Sequence, residues 1–316
     1  MPGQTESSSA AVPCYGIITA NSQSGLSCAR YLCDTLDLTH MTGVVRCIVR
    51  SEDKKGKILH TLGRKQDDPR LQFHCGVDAD DEASLLSAFE GCTSLLVVTP
   101  TTATRGPQTQ KMLHAAKKAN VAPGWVVVVS SWTVMMNHPL SIDQFEHSEK
   151  VAAELFPHRA ATLRAGYFMS NFLEFGSSVR NAGSIFLPMK DAHFAPVDPQ
   201  DIGATAAAIM LTPPVWPAAL RVVDVSGPET VTMQDVTHLL SQILGKEVQY
   251  VSVELEQGMA AMRTHGAPDW AVDFVRALIP FMWSGMIEKP YRDVEILTGR
   301  RSTLKVFLER HKAVFE

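Results

Sequence analysis

The stretch TANSQSGLS, residues 19–27, stands where a nucleotide-binding chain places its glycines. Tyr15-Gly16-Ile17-Ile18 leads into it as a short strand, and Cys28-Ala29-Arg30-Tyr31-Leu32 leads out of it as a helix. Strand, tight loop and helix in that order form the first unit of a dinucleotide fold. Set against Gly-x-x-Gly-x-x-Gly, the three glycine places fall on Ala20, Gln23 and Leu26, and the single glycine of the loop is Gly25. The first glycine normally makes the turn, the second admits the pyrophosphate, and the third lets helix pack on strand. On this frame all three roles are compromised, and Gly25 takes over one turn position. The anion site survives, because N–H groups at a helix N-terminus still favour phosphate. Thr19, Asn21, Ser22, Gln23 and Ser24 add side-chain donors that glycines lack. A packed turn that has lost its ligand would read the same way.

Outward from the loop, two periodicities alternate. RCIVR (46–50), LQFHCGV (71–77), SLLVVT (94–99) and WVVVVSS (125–131) are β-branched runs. DEASLLSAFEGC (81–92) and QTQKMLHAAKKANV (108–121) carry helical patterns, the second with Lys117 and Lys118 in its last turn. Strands that read as continuous apolar runs between helices imply an α/β fold, a Rossmann-type doubly wound parallel sheet. Ligands of such sheets bind beyond the carboxyl ends of the strands. Residues 1–12 are expected as a disordered tail and 13–185 as the nucleotide domain. Residues 186–316 are expected as a smaller C-terminal α/β lid region, with some segments returning to the sheet. That second half is punctuated by prolines, Pro213, Pro214 and Pro217 among them. It contains two helical patterns, TMQDVTHLLSQILG (232–245) and PDWAVDFVRALIPFMWSG (268–285).

Composition excludes several classes. The chain has 316 residues, 45% of them apolar and 20% charged, with a net charge of −4. That charge gives no broad basic field for nucleic acid or anionic lipid. No run reaches the roughly 18 apolar residues of a membrane helix. The six cysteines lie between Cys14 and Cys92 without a C-x-x-C pair, as expected of reduced, mostly buried thiols in a cytoplasmic protein. The histidines show no metal-ligand spacing.

Several segments in fixed order resemble the NmrA-like branch of the atypical short-chain dehydrogenase/reductases: RCIVRS, GVDADDEASL, HSEKVAAELF followed by ATLRAGYFMSNFL, VDPQDIGATAAAIM, VSGPETVTMQDVTHLLSQILGKEVQYV and LTGRRSTLKVFLERH. The resemblance implies NADP(H) in a cleft between a Rossmann domain and a small C-terminal domain. Arg50 ends the second strand, where an arginine pairs with a ribose 2′-phosphate, and Lys54 and Lys55 follow it. The resemblance extends the cofactor set to Asp78, Thr99, Pro100, Ser130, Lys150, Ala165 and Gly166.

Classical relatives pair a lysine with a tyrosine four residues before it, which handles the proton accompanying hydride transfer. Here Lys150 is preceded by Glu146, so that donor is absent. Tyr167 is the one tyrosine in a stretch that the family places beside the nicotinamide; a half-buried wall residue is the equal alternative. Ser131, with Ser130, is a candidate to orient a substrate atom, or else a turn residue. Trp132, Phe168, Phe172, Phe281 and Trp283 make up an expected aromatic pocket for a bulky apolar substrate. Two functions follow as expectations. One is an NADP(H)-dependent oxidoreductase reducing C=N, C=C or C=O of a conjugated molecule in specialised metabolism, with a coupled cyclisation in some family members. The other is a non-catalytic NADP(H)-sensing regulator.

Overall fold

The computed structural model describes residues 12–212 and 220–316. Most of the tail expected over residues 1–12, and Pro213, Pro214 and Pro217, lie outside the described residues. In chain order the strands are β1 (Cys14–Ile18), β2 (Val44–Val49), β3 (Leu71–Cys75), β4 (Ser94–Val97), β5 (Val126–Ser131), β6 (Ala160–Ala165), β7 (Ser184–Leu187), β8 (Leu220–Val225) and β9 (Gln249–Ser252). Seven of them form one parallel sheet in the order β3-β2-β1-β4-β5-β6-β8. The order reverses between β1 and β4, which opens a crevice beyond their carboxyl ends. β1 and β4 are buried along their whole length, as strands covered on both faces must be.

Helices Gln23–Leu38 and Pro199–Leu211 pack together on one face of the sheet. Helices Glu82–Phe89, Arg105–Lys118 and His147–Leu155 cover the other. Two segments from beyond residue 185, the helix Pro199–Leu211 and β8, thus belong to the main sheet layer. The helix expected over 108–121 begins three residues earlier, at Arg105, because Pro107 is tolerated in a first turn where no N–H is needed.

Helix Pro199–Leu211 touches helix Gln23–Leu38 backbone to backbone. A Cβ added at Gly203 would lie 2.3 Å from the Ser24 carbonyl oxygen and 2.6 Å from the Cys28 nitrogen. Buried Asp201 fixes the same helix from its other side, accepting from Arg300 Nε at 2.6 Å and Ser302 Oγ at 2.9 Å.

The rest of the second half builds a separate core under the parallel ribbon of β7 and β9. Helix Met233–Leu244 starts at Thr232, whose hydroxyl accepts from the Asp235 amide in a capping box, and stops at Gly245, with φ 66°. Helix Asp269–Trp283 lays an apolar face over the crevice. All six cysteines are free thiols, five of them buried. No helix among the described residues is long and apolar enough to cross a membrane.

Candidate active site

The opening loop has a different frame from the one its sequence suggests. Thr19, not Ala20, takes the left-handed turn, with φ 57°. Ala20 is fully buried and its amide donates to the Ile48 carbonyl at 3.2 Å. Ser22 caps the helix, its Oγ accepting from the Gly25 amide at 3.0 Å. Gly25 is the close-packing glycine: a Cβ there would meet the Thr19 oxygen at 2.8 Å and Ala20 Cα at 2.9 Å. The three roles therefore fall on Thr19, Ser22 and Gly25, one residue before the expected frame, and one glycine is kept. Thr19 in that conformation costs about 1–2 kcal/mol. Gln23 and Ser24, whose first-turn amides have no intrahelical acceptor, face the crevice, while Leu26 packs against the core.

A cavity of about 500 Å³ runs from this helix start along the carboxyl ends of the strands. The first loop contributes Thr19, Ser22, Gln23 and Ser24. The loop after β4 adds Thr99, Pro100, Thr101 and Arg105. Ser130, Ser131 and Trp132 come from β5 and its exit, and Ala165, Gly166, Tyr167 and Phe168 from the exit of β6. Phe274, Leu278, Phe281 and Met282 close the far side from helix Asp269–Trp283.

Seven expected site residues, Asn21, Gly25, Arg50, Asp78, Lys150, Phe172 and Trp283, stand outside the cavity wall. Asn21 and Gly25 belong to the loop's own packing rather than to the cavity wall. Phe172 is fully buried behind Tyr167, with ring centroids 5.5 Å apart. Trp283 turns away to donate from Nε1 to the Pro188 carbonyl at 2.9 Å, under Lys190. Arg50 lies outside the cavity, 84% exposed, with Nη2 3.8 Å from Asp78. Lys54 pairs with Asp53 and Lys55 lies over the Phe73 ring, so neither assists Arg50. Lys150 is the largest correction. Its ammonium lies 2.5 Å from Glu146 in an i,i+4 pair, 62% exposed, and does not line the cavity. The turn before it, Ile142–Glu146, is a π-helix, which sets the phase at which residues 147–150 face inward or outward.

The inward residue of that helix is Glu149. It is buried, and its Oε1 accepts from Ser130 Oγ at 2.6 Å. Its Oε2 accepts from Arg164 Nη2 at 2.6 Å, and Arg164 Nε reaches Oε1 at 3.1 Å. The Ser130 proton is thus committed inward, and its free lone pairs remain for a donor in the cavity. Ser131 is both wall and cap, its Oγ accepting from the Thr133 amide at 3.2 Å.

Among the described residues that line the cavity, Tyr167 and Arg105 alone carry ionisable groups. Burial pushes the Tyr167 hydroxyl well above its ordinary range, with the Glu174 charge adding to the shift. It stays protonated at neutral pH, and its ring packs edge-on against Phe194. Sequence reasoning missed Glu149 and Arg105. Arg105 left one trace: a cation opening a helix whose first turn holds no acid.

A model of the NmrA-like family matches residues 45–269. The chain is 26% identical over 250 residues to an NAD(P)H azoreductase of Xenophilus azovorans, covering 75% of this chain and 82% of that protein. It superposes on an NADPH-dependent quinone oxidoreductase of Escherichia coli, complexed with NADPH, with a TM-score of 0.78. That match has 21% identity and covers 95% of this chain and 99% of the other. NmrA, a negative transcriptional regulator in complex with NADP, superposes with a TM-score of 0.73 at 15% identity, over 94% of each chain.

Proposed function

The chain belongs to the NmrA-like family, and on that premise we propose that it is an NADP(H)-dependent oxidoreductase for a flat, conjugated small molecule. The observation that carries this is the open cavity itself. It is continuous from a helix N-terminus suited to a pyrophosphate to an aromatic wall suited to a conjugated acceptor. A pure sensor needs no such second compartment.

The residues fit the cofactor. The helix start at Gln23 and Ser24 offers free amides for phosphate. Arg50 is held only by an exposed pair with Asp78, and such pairs are worth about 0–1 kcal/mol. The guanidinium can exchange that partner for a 2′-phosphate at little cost. The cofactor, when bound, supplies the hydride. The chain supplies position: Tyr167 donates a hydrogen bond to the acceptor, Ser130 accepts one, and Phe168 and Phe281 flank the apolar body.

Among the described residues no carboxylic acid, histidine or lysine lines the cavity. The site therefore suits acceptors whose reduced form tolerates a negative charge until water protonates it. Quinones and azo compounds, acceptors that the names of two relatives carry, fit that demand, as do conjugated C=N and C=C groups in specialised metabolism. A wall that positions without strong acid also suits a ring closure following reduction.

Two measurements test the proposal. Single-turnover NADPH oxidation with quinone and azo acceptors, followed by product analysis for reduction and ring closure, is expected to show acceptor-dependent loss of NADPH. If no acceptor accelerates it, the redox reading falls and the sensor reading, supported by the likeness to NmrA, replaces it. Arg50→Ala is expected to weaken NADPH by about 10- to 150-fold, the worth of a charge-assisted contact, and to leave NADH nearly unaltered. Equal losses for both cofactors in calorimetry would remove Arg50 from the site.

A further inference from the structure

Among the described residues Arg105 is the one charged side chain on the cavity wall, and its position is unfavourable unless something anionic meets it. It opens the helix Arg105–Lys118, where the helix dipole disfavours a cation, and no acid shares its first turn. Burial lowers its pKa to about 10. Its partners are neutral: Nε donates to the Pro100 carbonyl at 3.3 Å, and Nη2 to the Thr101 hydroxyl. The guanidinium lies over the Phe145 ring, 5.1 Å from the centroid. No carboxylate among the described residues lies within ion-pair distance of it. Arg64, Arg164, Arg300 and Arg310, also partly buried, each hold an acid, while Arg46 and Arg159 are held by backbone carbonyls away from the cavity. A guanidinium has five N–H donors, and those not used on Pro100 and Thr101 are available.

The arginine is also fixed in place. A Cβ at the neighbouring Gly106 would lie 1.8 Å from the Asp143 carbonyl oxygen, so the helix start abuts the π-helical turn that carries Phe145. The anchors expected for cofactor phosphates follow β1 and β2, whereas Arg105 and Phe145 follow β4 and β5.

We propose that Arg105 selects acceptors that carry a carboxylate or comparable oxyanion, binding that group beside the Phe145 ring while the conjugated body lies along the aromatic wall. This deepens the oxidoreductase reading and rests on it for the word acceptor. Its test is therefore made on binding, without turnover. The probes are methyl red, a carboxylated azobenzene, and its uncharged parent, 4-(dimethylamino)azobenzene. Affinities are read on the full chain from quenching of tryptophan fluorescence, since Trp132 lines the cavity.

Wild-type protein is expected to prefer methyl red. In Arg105→Met the ratio of the two affinities is expected to fall about 10- to 100-fold, the worth of one charge-assisted bidentate contact. Arg105→Lys keeps the charge without the planar fork and is expected to retain part of the preference. A ratio that Arg105→Met leaves unaltered overturns the proposal. So does an equal fall in NADPH affinity, which would assign the arginine to the cofactor. Should the methionine variant fail to fold by circular dichroism, Arg105→Lys decides: a partly reduced ratio supports the proposal, and a ratio equal to wild type overturns it. Absence of any wild-type preference overturns it as well.

Discussion

Glu149→Leu melts at a temperature roughly 6–20 °C below wild type, followed by circular dichroism. The carboxylate is buried and receives Ser130 and two nitrogens of Arg164. Removing one member of a buried pair leaves the other uncompensated, at about 3–5 kcal/mol, and each kcal/mol shifts the melting of a chain this large by about 2–4 °C. Asp224, near Arg164, limits the loss, because its charge remains. Glu149→Gln keeps size and one acceptor and lies between the two. The Ser130 hydroxyl is released in Glu149→Leu, so affinity for a ligand that donates to it changes as well. A shift below about 2 °C in Glu149→Leu would mean that Asp224 alone satisfies Arg164.

Gly203→Ala lowers stability by about 3 kcal/mol, the upper range for overpacking, and weakens NADPH more than about tenfold. The added carbon would lie 2.3 Å from one backbone atom and 2.6 Å from another, with no flexible tip able to give way. Helix Gln23–Leu38 must then move, and its first turn is the proposed phosphate site. Urea unfolding reads the first effect and NADPH titration the second. A variant that unfolds like wild type and binds NADPH equally would show that the two helices slide past each other freely.

The elements legible in the sequence were those with local causes. RCIVR, SLLVVT and WVVVVSS became largely buried inner strands of the expected sheet, and LQFHCGV became its half-exposed edge strand β3. Thr232 and Gly245 bounded their helix because capping is decided within four residues. The opening loop was readable as a loop but not in its frame, since only the nearness of the Thr19 oxygen shows which place needs a glycine. Lys150 and Glu149 show the limit most clearly. Adjacent residues on a helix point about 100° apart, and the π-helical turn before them sets which one faces in. A matching segment named the lysine; the fold turned the glutamate inward, behind Ser130. Arg105 and Gly203 take their meaning from contacts with the Phe145 ring and the Ser24 backbone, far away in sequence.

The crossing at Gly203 also sets a timetable for biosynthesis. Ser24 and Gly203 are about 180 residues apart, so at about 5–20 residues per second a ribosome makes the second helix roughly 10–35 s after the first. Throughout that interval the face of the first helix that ends fully buried, with Cys28, Ala29 and Leu32, lacks its eventual cover. The nascent chain thus carries a half-finished nucleotide layer for far longer than the microseconds in which a helix forms, and it is in that window that holdase chaperones have access to it.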